Sequence, residues 1–336
     1  MQAPLGGGPS TPQLAAAVAG AGGLGFLAAG YRTVESVEMD LGTLQALSPQ
    51  PFGVSLFVPE ASRVDEDAVR TYADRVAREA DAAGFRVGTP DWNDDWFGEK
   101  VELMLRLRPA VVSFPFGLPT AELLSEMREV GIETWVTVTE PSEAEAAAGA
   151  GAAGLVVQGF EAGGHRGTFT DRDGEGEIGL LALLRLVASR VDLPLVASGG
   201  IADGRAVAAV LVAGASAQLG SAFMDTQEAG TSPVHRQRLR EGGRTAITRA
   251  FTGRRARGIL NSFMARNSAS APSAYPHLHN LTAQLRAAAR ERGDGKFVNL
   301  WAGQAYETMT HALPAAEVMA ILEVQMRDAL ARAATL

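Results

Sequence analysis

The chain has 336 residues, among them 38 glycines and no cysteine, and its 30 basic against 38 acidic side chains leave a net charge of −8. That length buries a core without staples, and the missing cysteine excludes zinc ribbons, iron–sulfur clusters, thiol nucleophiles and disulfide frameworks. Basic residues scattered through an acidic chain also argue against nucleic-acid binding.

Met1 to Gly8 has neither a basic region nor an apolar run, so no secretory signal is expected. The longest apolar stretch, 14–29, contains Gly20, Gly22, Gly23 and Gly25 and is too short for a membrane span. Together with the lack of cysteine, this favours the cytoplasm. Short apolar runs then alternate with helical segments, the pattern of βα units. The predicted strands cover 1–4, 24–28, 53–58, 110–114, 134–138, 154–158, 194–198 and 216–220, with helices at 12–19 and 141–148 between them. Eight such strands in about 220 residues predict an α/β fold, a (β/α)8 TIM barrel, and the longer intervals imply insertions after strands 3 and 6. Beyond it, helices are expected at 281–292 and 315–332. The expected division is a barrel over 1–224 and a helical extension over 225–336 that packs on the barrel and covers its active-site mouth.

Two glycine clusters, 20–25 and 149–154, match G-x-G-x-x-G. Each follows a helix and precedes a strand, the reverse of the order that sets a pyrophosphate on a helix N-terminus, so both are expected to cap helices. Other glycines fall at predicted strand ends, where backbone can approach a ligand closely. TIM barrels often hold phosphate on the loops after strands 7 and 8, which here read Ser198-Gly199-Gly200 and Gln218-Leu219-Gly220-Ser221.

After strand 6 comes Gln158-Gly159-Phe160-Glu161-Ala162-Gly163-Gly164-His165, whose histidine stands among glycines with no helix or strand predicted around it. An imidazole with an ordinary pKa of about 6.5 suits proton transfer at neutral pH, which makes His165 the leading catalytic candidate. Arg166 beside it reads as solvent-facing. Arg249, Arg254, Arg255 and Arg257 read as internal ion pairs or anchors of a lid. His277 and His279 share a proline-flanked loop without a third ligand, so no metal site is expected.

In joint order and spacing these segments resemble the class I nitronate monooxygenases, the flavin family once called 2-nitropropane dioxygenases. The likeness runs through 2–8, 21–27, 51–59, 158–167, 197–204, 218–223, 248–261 and 300–304, and so through essentially the whole chain. It implies FMN bound non-covalently at the barrel mouth, its phosphate held by Gly199, Gly200, Gly220 and Ser221. Gln158 and Gln218 would lie near the ring and ribityl chain, with Leu219 in the same segment; Pro4, Leu5 and Gly6 would run along the flavin and Gly163 against it. His165 matches the family's catalytic histidine. The implied reaction is oxidation of an alkyl nitronate, or a nitroalkane, by O2 to a carbonyl compound and nitrite without reduced nicotinamide.

Four positions mark the substrate side. Ser55 stands where the family often carries asparagine, and Pro115 where some members carry histidine. Tyr275 matches a substrate-side tyrosine, while His279 replaces another one a helical turn later. Two alternatives share the glycine motifs: an NAD(P)H-dependent flavin reductase acting on quinones or enoyl thioesters, and a flavin-binding protein whose altered pocket no longer turns over.

Overall fold

The protein is seen in a computed structural model that describes residues 1–60 and 64–335. Among the described residues, seven strands form one parallel sheet in the order β1-β2-β3-β4-β5-β7-β8. They are β1 (Gly25–Ala28), β2 (Phe52–Ser55), β3 (Val111–Phe114), β4 (Glu133–Val138), β5 (Gly154–Gln158), β7 (Leu195–Ser198) and β8 (Ser216–Gln218). The short strand β6 (Gly164–His165) belongs instead to a three-stranded antiparallel sheet, order β6-β10-β9, with β9 (Thr245–Thr248) and β10 (Ala256–Ile259). The helices between strands are α1 (Pro12–Gly20), α2 (Val34–Leu47), α3 (Glu66–Ala82), α4 (Phe97–Leu107), α5 (Ala121–Glu129), α6 (Pro141–Ala150), α7 (Leu180–Ala188), α8 (Gly204–Val212) and α9 (Pro233–Glu241). After β10 come α10 (Ser262–Asn267), α11 (His277–Arg292) and α12 (Ala315–Ala333). Among the described residues, no helix is long and apolar enough to cross a membrane.

The two faces of the parallel sheet bury different partners. Leu27, Val54, Val112 and Phe114 pack with Leu41 of α2 and Met127 of α5. Further along, Val136, Val157 and Ala197 do the same with Ala144 of α6, Leu183 of α7 and Val210 of α8. The alternate residues Phe26, Val111, Trp135, Val156 and Val196 form a separate cluster on the inner face, as the period of two along a strand requires. Gly53 makes room for it, because a Cβ there would sit 2.2 Å from the Phe26 ring. This curled parallel sheet, apolar inside and coated by helices outside, is consistent with a TIM barrel.

The N-terminus bridges the two edges of the sheet. Gln2 pairs in parallel with Leu219 and donates its N–H to the Leu24 carbonyl, while Ala3 donates to Leu219 and Leu219 to Met1. The predicted strand over 1–4 is thus a single bridge rather than a ladder. Two residue types explain the difference. The next N–H of β1, from Phe26, goes to the Gln2 side-chain oxygen at 2.9 Å instead of a backbone carbonyl, and Pro4 has no N–H to extend the pairing.

Helix starts follow capping chemistry: Thr11, Thr33, Asp65, Thr120 and Asp203 each accept a backbone N–H of the first turn of their helix. Gly151, at φ +92°, ends α6 as expected of the second glycine cluster. The last helix, α12, lies against α8 and α1. Gly204 donates to Gln325 at 2.8 Å, and its missing side chain lets the Leu322 carbonyl come within 2.2 Å of the Cβ position.

Two glycine substitutions should move stability in opposite directions. A Cβ on Gly25 would lie 2.3 Å from the Ala15 carbonyl oxygen, so Gly25→Ala is expected to cost about 1–3 kcal/mol in urea unfolding. Gly42 lies inside α2 with nothing near its Cβ position, so Gly42→Ala should add about 0.5–1 kcal/mol. Equal effects of the two would contradict this packing of α1 on β1.

Candidate active site

At the C-terminal ends of the strands the inner face changes character. Ser55, Ser113, Thr137, Gln158, Ser198 and Gln218 continue the inward positions with small or polar side chains and line a cavity of about 540 Å³. That size falls within the usual range for small-molecule and cofactor sites. Pro4, Leu5 and Gly6 of the N-terminal segment border it, as do Gly163, Gly199, Gly200, Gly220 and Ser221 on the loops. Pro115 and His279 complete the set of predicted residues that meet there. Leu219 does not: it is buried in the core and acts through the backbone bonds that hold Met1 and Ala3.

His165 has more support than its flanking glycines suggest. It pairs with Ala256 of β10, so a second sheet holds the loop that follows β5. Gln158 clamps the same loop from the other side. Its Nε2 donates to the His165 carbonyl at 3.1 Å and its Oε1 accepts from Gly167 at 2.8 Å. The imidazole Nε2 lies 2.9 Å from Thr252 Oγ1, whose own hydrogen goes to the Arg254 carbonyl at 3.2 Å. A hydroxyl has one hydrogen to give, which assigns the imidazole proton to Nε2 and leaves the lone pair on Nδ1.

Four aromatic rings enclose this imidazole: Trp301 at 5.6 Å, Phe116 at 5.7 Å, Tyr275 at 5.9 Å and Tyr31 at 6.5 Å between centroids. Burial among them, reinforced by the charges of Arg254 and Arg286, pushes the His165 pKa down to about 3. The ring is therefore neutral at physiological pH. Arg254 itself stacks 4.4 Å over Phe116 and pairs with Glu60 at 2.9 Å.

The substrate-side residues form one connected wall. Tyr275 is behind it, donating its hydroxyl to Tyr31 at 3.3 Å. Tyr31 lines the cavity and stacks on His279 at 3.8 Å with 7° between planes. Sequence reasoning missed Tyr31, although it directly follows Gly30 at the end of β1, where ligand-facing residues are expected. Its backbone takes φ +66°, held by Asp95, whose Oδ1 accepts the Tyr31 N–H at 2.9 Å. His279 lies in the first turn of α11 rather than in a loop; the apolar face of that helix, Leu278, Leu281 and Leu285, starts earlier than the pattern from 281 suggests.

Several features fit a flavin phosphate and ring. Gly199 and Gly200 have φ +109° and +69°, and side chains there would press on Ala162 and Glu161, so the loop backbone itself faces the cavity. Gly163 also lines the cavity, but its missing side chain serves the fold, since a Cβ there would lie 2.5 Å from the 302–303 backbone. Gln218 Nε2 is buried without a hydrogen-bond partner among the described residues, a donor waiting for a ligand acceptor.

Arg166 corrects one expectation. It is fully buried, not solvent-facing, and donates to the carbonyls of Gly159, Gln158 and Gly176 at 2.7, 3.1 and 2.8 Å. Its role is to tie down the loop after β5. The downstream arginines pair internally as expected: Arg249 and Arg255 each reach Asp171 at 2.8 Å, and Arg257 donates to the Phe160 carbonyl.

Burial also keeps His235, which donates to the Trp301 carbonyl at 3.0 Å, and His279 unprotonated, the former with its pKa lowered to about 4. The unfolded chain takes up these protons near pH 6.5, whereas the folded chain does so only at lower pH. Their contribution is complete above about pH 6.5 and is lost as pH falls toward about 4. The melting temperature should therefore drop between about pH 7 and about pH 5, and His235→Gln, which keeps a donor for Trp301, should make the drop shallower. A flat profile would refute the buried, neutral state of these rings.

The nitronate monooxygenase family profile matches residues 1–324. A nitronate monooxygenase of Pseudomonas aeruginosa is 38% identical over 97% of this chain and 95% of its own length. Another, from Paraburkholderia phytofirmans, is 36% identical over 98% of this chain and 92% of its own. Among solved structures, nitroalkane oxidase from Streptomyces ansochromogenes matches with a TM-score of 0.96 at 44% identity, covering 99% of this chain and 96% of that one. FabK from Thermotoga maritima, at TM-score 0.79 and 22% identity over 99% and 94% of the two chains, shares the fold. A family match that spans the parallel strands, the histidine loop and the first half of α12 leads to one conclusion: the chain belongs to the nitronate monooxygenase family.

Proposed function

We propose that this protein is an FMN-dependent oxidoreductase that oxidises alkyl nitronates with O2 to a carbonyl compound and nitrite. The observation that carries this reading is His165, a neutral imidazole inside an aromatic cage, its Nδ1 lone pair free beside a cavity with a glycine-lined wall. FMN would lie against Pro4, Leu5, Gly6 and Gly163, with its phosphate on Gly199, Gly200, Gly220 and Ser221 and its polar edge near Gln158 and Gln218. When bound, the flavin supplies electron acceptance from the substrate and the reaction with O2.

The chain's own residues shape the choice of substrate. An imidazole with a pKa of about 3 is a weak base, far from the optimum for proton abstraction at neutral pH. A nitronate arrives already deprotonated and needs no such step, so the site suits the anion better than the neutral nitroalkane. Burial raises the Tyr31 pKa to about 12, which keeps its hydroxyl protonated. Because Tyr31 already accepts from Tyr275, its own hydrogen is available to a substrate oxygen. Phe116, Trp301 and the two tyrosines exclude water around the reacting group, and Ser55 and Pro115 add small side chains to the cavity lining.

The same reading takes the sheet as a (β/α)8 barrel over 1–224, with the N-terminal segment as its first strand and insertions after its third and sixth strands. Residues 225–336 act as an extension over the mouth; β10, Thr252 and Trp301, which meet His165, support this. A cytoplasmic enzyme fits a chain without cysteine. The reductase alternative has behind it a fold likeness at low identity, as to the enoyl reductase domain of MlnA at 13% identity and TM-score 0.63.

Anaerobic mixing of the flavin-loaded enzyme with ethyl nitronate should bleach the flavin absorbance, while NADH and NADPH leave it unchanged. The reverse result would favour the reductase, and no bleaching by either a binding protein. His165→Asn should keep FMN and lose about 10²-fold or more in kcat/KM for neutral nitroethane, with a smaller loss for preformed ethyl nitronate. Gln218→Leu should weaken FMN binding by roughly fivefold, as expected for one lost hydrogen bond.

A further inference from the structure

The cavity carries a positive charge that the flavin assignment does not use. Arg286 of α11 is buried, 5% exposed, and lines the cavity. It has no carboxylate partner among the described residues. Its Nε donates to Thr282 Oγ1 at 3.0 Å, and its Nη2 donates to the His279 carbonyl at 3.0 Å and to His279 Nδ1 at 3.1 Å. Nη1 has no partner among the described residues. One helical turn on, Arg290 also lines the cavity and meets Asn299 Oδ1 at 3.3 Å, again without a carboxylate.

Other buried arginines are treated differently. Arg254 and Arg255 each have an acidic partner, and Arg166 is surrounded by three carbonyls away from the cavity. Two cations at i and i+4, one of them deeply buried, repel each other and cost free energy until an anion arrives. The contact with His279 adds a second donor. A guanidinium can only donate, so His279 Nδ1 must accept, and its proton must sit on Nε2. That N–H has no partner among the described residues, and the ring that carries it is held flat against Tyr31 at 3.8 Å. Tyr31 in turn neighbours His165, which places both donors in the same enclosure as the candidate catalytic imidazole.

We propose that Arg286 and the Nε2–H of His279 form the anion-binding subsite for the nitro-group oxygens of the nitronate. Arg286 is then the specificity-determining residue for anionic over neutral substrates. The inference rests on the nitronate reading given above. It assigns His279 a reason to replace a tyrosine: oriented by Arg286, it offers a hydrogen-bond donor from the position of the phenol.

The test uses the flavin-loaded enzyme and the variants Arg286→Met, Arg286→Lys and His279→Phe, the last keeping a flat ring for Tyr31. Two readouts are taken: steady-state KM for ethyl nitronate against kcat/KM for nitroethane, and the dissociation constant of nitrate, a non-reacting planar anion, followed by its perturbation of the bound flavin spectrum. Arg286→Met should raise both the nitronate KM and the nitrate constant by about tenfold or more, a change typical of losing a charged hydrogen-bond partner, and lower kcat/KM for nitroethane by a smaller factor, because that substrate is neutral until its proton leaves. Arg286→Lys should recover part of the loss, and His279→Phe should weaken nitrate with the charge still present. Flavin content and melting temperature report whether each variant is folded and loaded; if Arg286→Met does not fold, the lysine and phenylalanine variants decide. The proposal is overturned by unchanged nitrate binding, by equal losses for both substrates, or by loss of FMN alone, which would assign the cation to the cofactor phosphate. If no nitronate is turned over by the wild type, the functional reading fails by itself; nitrate titration of wild type and variants still decides the anion subsite.

Discussion

A β-strand turns alternate side chains to opposite faces, and the site of this protein depends on how that constraint is used along one inner face. Low on the strands, Phe26, Val111, Trp135, Val156 and Val196 fill the interior. One step up, the same face presents serine, threonine and glutamine, which leave space and supply hydrogen-bonding groups. Filling the floor and vacating the mouth are therefore a single pattern. Gly53 belongs to it, since Phe26 needs the volume a larger residue would take.

Above that mouth, the active-site loop is held by groups drawn from distant parts of the chain. Gln158 on β5, β10 and Thr252 reach His165 or its backbone, while Arg166 binds the carbonyls on either side of the turn. This convergence fixes the tautomer as well as the position of the ring. Its environment is aromatic and positively charged, which disfavours a protonated imidazole and attracts an anion. A substrate that brings its own negative charge satisfies both conditions. Buried Arg254 is balanced by Glu60, so the excess positive charge left at the cavity comes from Arg286 and Arg290.

Much of this was legible from residues alone where the signal is local. Strand positions in the parallel sheet followed from short apolar runs bounded by turn residues, and helices were expected at 281–292 and 315–332, close to α11 and α12, whereas β9 and β10 between β8 and α11 were not expected. Order along the chain separated helix-capping glycines such as Gly151 from the strand-end glycines Gly199 and Gly200. Signals that need a partner far away were not legible. The β6–β10 pairing joins a two-residue strand to one about ninety positions later, too short a run to carry a pattern of its own. Even over seven to ten positions the signal fails: Arg166 read as a surface residue because its three carbonyl partners come together only when the loop folds back on itself. The first strand failed as a ladder because the Gln2 side chain took over a backbone role, which no propensity anticipates.

By itself, then, the sequence determined the βα alternation, the placement of glycine at strand ends and the candidacy of His165, because each depends on neighbours within a few residues. Tertiary structure alone decided the protonation state of that histidine, the stacking of Tyr31 on His279 and the lack of a counter-charge for Arg286 among the described residues. Those are properties of an environment assembled from β5, β10, α11 and the turn after β1. A pKa or an unpaired charge is set by what surrounds a group in space, and residues far apart in the chain meet only when it folds.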